Sequence, residues 1–248
     1  MTKPDTEARV AQGQWLDALD DSAALRVMLA GQSGAASAVE AALAPIAQAV
    51  EAMTARLCAD DTARIIYAGA GTSIRVAVQD GVELRPTFDW PSERVAYLVA
   101  GGEGALMSAV ENAEDDVEAA RRGVEALNLS ASDILIALSA SGGTPFTCAA
   151  VDRAVSTGAL TIGIANNEPS PLLSVAQIAV PIITGAEAVA GSTRLKAATA
   201  QKICLNMIST LVMTRLGYVK DGQMVAMKPS NAKLRARYDR IHGSGEGG

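Results

Sequence analysis

Apolar residues occur along the chain in short runs, and each run is followed by small or polar residues. Five runs have the length and composition of buried strands, and they lie at 64–68, 94–99, 133–138, 159–164 and 177–182. Helix-like patterns separate several of them. Strands that alternate with helices form a parallel sheet with right-handed crossovers. The pattern therefore predicts an α/β fold, with a five-stranded parallel sheet flanked by helices.

Other stretches predict helices that lie outside the sheet. From Ser37 to Leu57, apolar residues recur at gaps of three and four, which is typical of a long amphipathic helix. Residues 5–30 also look helical, with fewer apolar anchors, which indicates packing on something outside their own domain. A last helix is expected at 231–241. The glycine-rich residues after it predict a flexible tail.

A second long helix is expected from Thr193 to Leu216. Ser192 or Thr193 is the predicted N-cap, and Gly217 is the predicted stop. The predicted buried face consists of Ile203, Met207, Leu211 and Leu216.

The composition excludes several classes of protein. A chain of 248 residues is long enough for one large α/β domain. Its formal charge of −6 argues against nucleic acid or an anionic membrane as the main partner. No apolar stretch approaches the ~18 residues that span a bilayer, and the N-terminus lacks an apolar signal core. Cys58, Cys148 and Cys204 are interpreted as reduced core thiols. These features predict a soluble, cytoplasmic protein.

Two loops of small and hydroxyl residues follow predicted strands. The first is Gly69-Ala70-Gly71-Thr72-Ser73, and the second is Ser139-Ala140-Ser141-Gly142-Gly143-Thr144. Such loops let backbone amides and hydroxyls approach a phosphate, and a following helix adds its dipole. Because both loops leave the carboxyl ends of parallel strands, we expect them to meet in one crevice. The predicted phosphate-binding residues are Gly71, Thr72, Ser73, Ser139, Ser141, Gly142 and Thr144.

Neither a dinucleotide nor a metal is expected at these loops. Gly69-Ala70-Gly71 begins like a dinucleotide fingerprint, but Ile74 stands where the third glycine would be. The single histidine, His242, lies beside the predicted tail, so no histidine-dependent triad or metal site is expected. No cofactor is predicted.

Four charged residues are candidates for the chemistry. Glu83 and Glu114 would supply acid–base catalysis, and Arg194 and Lys196 would bind an anionic group. Each has an ordinary alternative, since all four residue types also occur on solvated helix surfaces. Two phosphate-binding loops together with two carboxylates indicate acid–base chemistry on a phosphorylated small molecule.

A series of short motifs occurs in the order in which one protein family carries them. They are Gly69-Ala70-Gly71-Thr72-Ser73, Glu83-x-x-Pro86-Thr87, Ala100-Gly101-Gly102-Glu103, Ala109-Val110-Glu111-Asn112-Ala113-Glu114-Asp115, Ser141-Gly142-x-Thr144-Pro145, Gly191-Ser192-Thr193-Arg194-Leu195-Lys196-Ala197, Thr199-Ala200-Gln201-Lys202 and Asn231-x-Lys233-Leu234-Arg235. Over residues 35–241 the chain resembles the N-acetylmuramic acid 6-phosphate etherases of the sugar isomerase (SIS) superfamily. Thr6-Glu7-x-Arg9 also resembles the opening of that family.

The resemblance implies a lyase of cell-wall recycling that needs no metal or redox cofactor. Such enzymes cleave the D-lactyl ether of N-acetylmuramic acid 6-phosphate to N-acetylglucosamine 6-phosphate and D-lactate. By position, Glu114 matches the base that removes the C2 proton. Glu83 matches the acid that protonates the leaving lactate and then activates water. Relatives also imply a homodimer with its site near the subunit interface.

The resemblance leaves two alternatives open and has some departures. The alternatives are a non-catalytic phosphosugar sensor and another SIS sugar-phosphate isomerase. The family usually has glycine at Ile74 and Ala198, and arginine at Gly143. Its members usually carry a further helical domain after the last motif, whereas this sequence stops at Gly248. The expected organisation is an N-terminal helical segment at 1–34, an SIS domain at 35–241 and a tail at 242–248.

Overall fold

A five-stranded parallel sheet forms the centre of the protein, in a computed structural model that describes residues 4–225. The strands are β1 (Ile65–Gly69), β2 (Val95–Val99), β3 (Ile134–Ser139), β4 (Leu160–Ala165) and β5 (Ile178–Pro181). They are hydrogen-bonded in the order β2-β1-β3-β4-β5, and every pairing is parallel. The predicted fold class and the five predicted strands are confirmed.

Helices cover both faces of this sheet. They are α1 (Asp21–Ala41), α2 (Leu43–Ala59), α3 (Gly71–Phe88), α4 (Val117–Leu127), α5 (Pro145–Val155), α6 (Pro171–Val175) and α7 (Lys196–Arg215). One core lies beneath α2, α3 and α7, and a second lies beneath α4, α5 and α6. Successive side chains of a strand point to opposite faces, so Ile136 of β3 joins the first core and Leu135 joins the second. A short antiparallel pair, β6 (Val219–Lys220) and β7 (Gln223–Met224), follows α7.

The direction of winding reverses between β1 and β3, which are neighbours in the sheet. From β1 the chain continues to β2 at one edge, and from β3 it continues to β4 and β5 at the other. In a doubly wound sheet, the loops at the carboxyl ends of two such strands run to opposite faces and leave a crevice between them. The fold therefore places a crevice beside Gly69 and Ser139.

The single long helix predicted at Ser37–Leu57 is wrong, because α1 and α2 meet inside that range. Ala42 separates them, with a φ of −100° and a ψ of 10°. Pro45 explains the break, since proline lacks an N–H and its ring would clash with the carbonyl of Ala41 in a continuous helix. In the structure Pro45 lies in the first turn of α2, where a proline is tolerated.

The second long helix is present, but its start and its buried face differ from the prediction. α7 begins at Lys196, and neither Ser192 nor Thr193 caps it. The buried Glu187 carboxylate instead accepts hydrogen bonds from the amides of Lys196 and Ala197, at 3.0 and 2.8 Å. Gly217 follows the helix with a φ of +88°, as expected of a stop.

The predicted buried face of α7 is wrong at two positions. Met207 and Leu211 are 37% and 38% exposed, whereas Cys204, Ile208 and Val212 are buried. Helices α1, α2 and α3 all pack against α7. Contacts on several sides bury more than one stripe of the helix, so apolar periodicity alone does not identify the inner face.

The N-terminal segment is less helical than predicted and packs on its own chain. Residues 4–20 contain short 3₁₀ turns, and the first α-helix begins at Asp21 with Asp20 as its N-cap. Thr6 is only 1% exposed.

Cys58 is exposed rather than in the core, whereas Cys204 is buried. The helix predicted at 231–241, the tail at 242–248 and His242 lie outside the described residues.

Candidate active site

The first loop joins β1 to α3. Gly69 ends β1, and a Cβ there would lie 2.9 Å from the carbonyl oxygen of Leu138 in the neighbouring strand. Gly71 begins α3 with a φ of +54°, in the region that favours glycine. The first amides of an α-helix have no acceptor within the helix, and the helix dipole adds positive potential there. The loop therefore presents a helix N-terminus, which suits an anion, at the end of the sheet.

The second loop joins β3 to α5 and is held by its own hydroxyls. The Ser139 hydroxyl lies 2.9 Å from that of Thr144 and 3.3 Å from that of Ser141. It also accepts a hydrogen bond from the Gly142 amide at 3.0 Å. The Gly143 amide donates to the Ser141 hydroxyl at 3.1 Å. These bonds hold the hydroxyls of the loop together at the carboxyl end of β3.

Gly142 shapes this loop by its backbone. Its φ is +68°, and its carbonyl accepts a hydrogen bond from the Leu172 amide at 2.8 Å. A Cβ at this position would collide with the Ser170 hydroxyl and would lie 3.1 Å from the Cβ of Ala165. The position therefore requires glycine both for its backbone angle and for its close approach to α6.

The two loops line one cavity of about 240 Å³. Of the residues predicted for binding or catalysis, its lining includes Gly71, Thr72, Ser73, Ser139, Ser141, Thr144 and Glu114. Thr6, Glu7, Gly191 and Thr193 also contribute. Amide and hydroxyl donors at a helix N-terminus suit a phosphate group. Ile74, one of the family departures, is buried in the core and does not line this cavity.

Glu114 lies in a 3₁₀ turn, Ala113–Asp115, that follows Asn112 in a left-handed conformation. It lines the loop cavity and also a second cavity of about 290 Å³, which Arg75 and Glu111 line as well. Within residues 4–225, no residue donates a hydrogen bond to the Glu114 carboxylate. Its oxygens are therefore available to a ligand at the boundary between the two cavities.

The structure does not bring Glu83 to this cavity within one chain. Glu83 is exposed on α3 and lines neither the loop cavity nor the second cavity. It lies more than three helical turns beyond Gly71, which is ~18 Å along the helix axis. Pro86 does not end the helix, because α3 continues to Phe88.

Arg194 and Lys196 also lie away from the cavity, although Thr193 lines it. Arg194 is exposed, and the Lys196 amine donates to the carbonyl of Ala186 at 2.8 Å. The second cavity has a cation that the sequence analysis missed, Arg75. Its guanidinium donates to the carbonyls of Ala105 and Leu106, at 2.8 and 3.0 Å, within the turn that precedes Glu114.

Glu7 was missed as a site residue, since the only signal for it was the family-like opening Thr6-Glu7-x-Arg9. Thr6 brings it to the cavity. The Thr6 amide donates to the Asn167 side-chain oxygen at 3.2 Å, and the Asn167 side-chain amide donates to the Thr6 hydroxyl at 3.0 Å. The Gly191 amide donates to the Thr6 carbonyl at 2.9 Å. Thr193, which also lines the loop cavity, lies two positions after Gly191.

Asp80 is a buried acid that the sequence analysis also missed. It accepts hydrogen bonds from the Tyr67 hydroxyl at 3.0 Å, the Asn206 amide at 2.8 Å and the Ser209 hydroxyl at 3.0 Å. Burial raises the pKa of Asp80, and these hydrogen bonds oppose that shift. Asp80 lines neither cavity, and it connects α3 to β1 and α7.

Residues 4–225 show neither a metal-binding cluster nor a membrane-crossing helix. They contain no group of three or more histidine, cysteine, aspartate or glutamate side chains that would hold a metal ion. Within the same residues, no helix combines the length and the apolar character that a membrane crossing requires.

Comparisons with known proteins identify related families. The family model described as the glucokinase regulatory protein N-terminal SIS domain matches residues 45–155, and the SIS domain model matches residues 106–211. A curated N-acetylmuramic acid 6-phosphate etherase of Deinococcus radiodurans is 46% identical over 226 residues, which are 91% of this chain and 73% of the relative. One of Streptomyces coelicolor is 43% identical over 236 residues, which are 95% of this chain and 75% of the relative.

Solved structures share the fold at much lower identity. A phosphoheptose isomerase from Francisella tularensis has a TM-score of 0.59 at 17% identity, covering 79% of this chain and 100% of the isomerase. A protein of Escherichia coli, solved as a complex with a ligand, has a TM-score of 0.58 at 13% identity, covering 82% of this chain and 97% of that protein. At these identities the similarity shows a common SIS-type fold.

Proposed function

The chain belongs to the N-acetylmuramic acid 6-phosphate etherase family, and from this membership we propose the reaction and the role of each site residue. The protein is an enzyme, a carbon–oxygen lyase with an SIS-type fold. It cleaves the D-lactyl ether of N-acetylmuramic acid 6-phosphate. The products are N-acetylglucosamine 6-phosphate and D-lactate.

The observation that carries the proposal is the loop cavity, which combines a phosphate-binding lining with Glu114. Donors from the ends of β1 and β3 converge there, and they include Thr72, Ser73 and Ser141. These groups would hold the 6-phosphate through amides and hydroxyls, without a side-chain cation in the lining. A sugar bound by its phosphate in this cavity would lie beside the Glu114 carboxylate.

Glu114 would act as the base in an elimination. Opening of the sugar ring exposes the C1 aldehyde, which acidifies the proton on C2. Glu114 removes that proton, the C2–C3 double bond forms, and the C3–oxygen bond breaks to release lactate. Water then adds to C3, and a proton returns to C2. A positioned carboxylate that moves a proton in this way accelerates a reaction typically ~10²–10⁴-fold.

The acid that protonates lactate would be Glu83 from a second copy of the chain. Within one chain Glu83 is remote from the cavity, so the site needs another route to this carboxylate. Helices α1 and α3 both pack against α7, and large apolar side chains are exposed on all three, namely Leu25 and Leu29 on α1, Val82 on α3, and Met207 and Leu211 on α7. A contiguous patch of exposed apolar side chains marks a protein–protein contact, and we propose that these five side chains belong to one such patch. A homodimer that buries it would also cover Glu83.

The same proposal includes the location and partners of the enzyme. We place it in the cytoplasm, in agreement with the three free cysteines of the described chain. Its formal charge of −6 argues against nucleic acid as a partner.

The direct test is to incubate the purified protein with N-acetylmuramic acid 6-phosphate and to measure D-lactate. We expect release by the wild type and a loss of at least ~10²-fold in Glu114→Ala. Proton exchange then separates the roles. Glu114→Ala should slow the exchange of the C2 proton of N-acetylglucosamine 6-phosphate with solvent deuterium. Glu83→Ala should block lactate release and leave that exchange detectable. Equal lactate release by the wild type and both variants would refute this mechanism.

A second candidate function is a phosphosugar sensor without catalysis. The match of residues 45–155 to the glucokinase regulatory protein N-terminal SIS domain favours it. A sensor would bind N-acetylglucosamine 6-phosphate or another sugar phosphate in calorimetry and release no D-lactate. Calorimetry and the D-lactate assay together therefore distinguish the sensor from the etherase.

A further inference from the structure

The N-terminal segment, residues 4–8, is attached to the second loop through Asn167. The side-chain amide of Asn167 donates to the Thr6 hydroxyl at 3.0 Å and to the carbonyl of Ala140, in the second loop, at 2.7 Å. The Thr6 amide donates to the Asn167 side-chain oxygen, and Thr6 is 1% exposed. This buried anchor places the next residue, Glu7, in the lining of the loop cavity.

The position of the Glu7 carboxylate depends on Gly191. A Cβ at Gly191 would lie 2.7 Å from one carboxylate oxygen of Glu7 and 3.1 Å from the other. Gly191 also has a φ of +76°, and its amide donates to the Thr6 carbonyl at 2.9 Å. The missing side chain of Gly191 therefore makes the space that the carboxylate occupies.

The Glu7 carboxylate has no partner in the described part of the chain. It accepts no hydrogen bond and forms no ion pair there, although it is half-buried. A carboxylate only accepts hydrogen bonds, and it repels an anion. It is therefore unsuited to the phosphate that the two loops bind. Its natural partners are the hydroxyl groups of the sugar.

We propose that Glu7 is a specificity residue that accepts a hydrogen bond from a hydroxyl of the bound sugar phosphate and disfavours a bare phosphate ion. This inference rests on the proposed function, because it assigns the rest of the same cavity. The two loops bind the phosphate, and Glu7 binds the sugar. Together they make the cavity selective for a phosphorylated sugar over inorganic phosphate.

The test compares two ligands in calorimetry, N-acetylglucosamine 6-phosphate and inorganic phosphate. Glu7→Gln should weaken binding of the sugar phosphate about 5–10-fold, because the glutamine oxygen still accepts the hydrogen bond and a charge-assisted bond is roughly twice as strong as a neutral one. Binding of inorganic phosphate should become tighter, because a like charge is removed, and unchanged phosphate binding would refute this part of the proposal. Glu7→Asp keeps the charge, so it should bind inorganic phosphate as weakly as the wild type does. Asp5→Asn is the matched control, since it removes an exposed carboxylate from the same segment, and it should change neither affinity.

A purely structural role gives a different pattern. If Glu7 only supports the segment, Glu7→Gln should weaken the binding of both ligands equally, as expected for Thr6→Val, which removes the hydroxyl that accepts a hydrogen bond from Asn167. That result, or unchanged binding of both ligands, would overturn the inference. If circular dichroism shows that Glu7→Gln does not fold, Glu7→Asp tests the proposal instead. It must then weaken the binding of the sugar phosphate more than the binding of inorganic phosphate. Absence of D-lactate release by the wild type would refute the proposed reaction alone, because binding needs no turnover.

Discussion

Glu83 and Glu114 should act together across two subunits, and mixed dimers test this directly. The perturbation is a pair of single variants, Glu83→Ala and Glu114→Ala, in two differently tagged copies of the chain. Each homodimer lacks one of the two carboxylates in both of its sites. A mixed dimer has one site with both carboxylates and one site with neither, provided that each site takes Glu114 from one chain and Glu83 from the other.

The geometry of α3 is the reason to expect that Glu83 acts in the site of the other chain. Glu83 lies ~18 Å along the helix axis from Gly71, whereas the oxygen of a proton-transferring carboxyl must come within ~2.6–3.2 Å of the atom that gives or takes the proton. Glu83 is thus too far to serve the cavity of its own chain. Each homodimeric variant should lose at least ~10²-fold in lactate release. The mixed dimer should recover about half of the wild-type activity, since one of its two sites is intact.

The assay is D-lactate release by mixed dimers purified through both tags after co-expression. Light scattering should confirm a dimer mass for the sample. A mixed dimer of Glu83→Ala with the double variant is the control, because neither of its sites has both carboxylates, and it should stay inactive.

Two results would refute the reasoning. The first is a mixed dimer of the expected mass whose activity is as low as that of its parents, which would mean that both carboxylates come from one chain. The second is a monomer mass for the wild type at micromolar concentration together with full activity.

Three further variants test other features of the structure. Gly142→Ala should weaken inorganic phosphate binding at least tenfold in calorimetry, because the new methyl group collides with the Ser170 hydroxyl at a φ of +68°; unchanged affinity would contradict this. Glu187→Ala should lower the free energy of unfolding by about 1–3 kcal/mol in urea, since two amides at the start of α7 lose their acceptor; a change below ~0.5 kcal/mol would contradict it. Arg64→Ala should cost about 2–4 kcal/mol at pH 7, because the Asp133 carboxylate, 2.7 Å away, is buried. Burial raises the pKa of Asp133, but hydrogen bonds led by that from Arg64 outweigh burial, and the net effect is a lowered pKa. The stability that the Arg64–Asp133 pair contributes should therefore be lost as the pH falls through the pKa of Asp133 in the folded protein. A destabilisation by Arg64→Ala that grows in acid would contradict this.

The sequence allowed the sheet to be predicted because its strands carry a local signal. Runs such as Ile134–Leu138 are apolar at every position, which is typical of strands buried on both faces. The two loops were predictable for the same reason, since small residues directly follow the strands. The break between α1 and α2 also had a local cause, Pro45, which the apolar periodicity concealed.

Contacts between distant parts of the chain decided the rest of the site. Thr6 and Asn167 are separated by 161 positions, and no local pattern shows that they bond and bring Glu7 to the loops. Likewise, Glu187 caps a helix that begins nine residues later, where the sequence offered Ser192 and Thr193 as nearer caps.

Local sequence was enough to define the five strands and the two loops of small residues that follow β1 and β3, and its motifs identified the family. The folded chain was needed to show that Glu114 lines the loop cavity and that Glu83, Arg194 and Lys196 do not. The physical reason is that periodicity and turn residues act over a few positions along the chain. The side chains that share a cavity are selected by strand order and helix packing, which join residues of any separation.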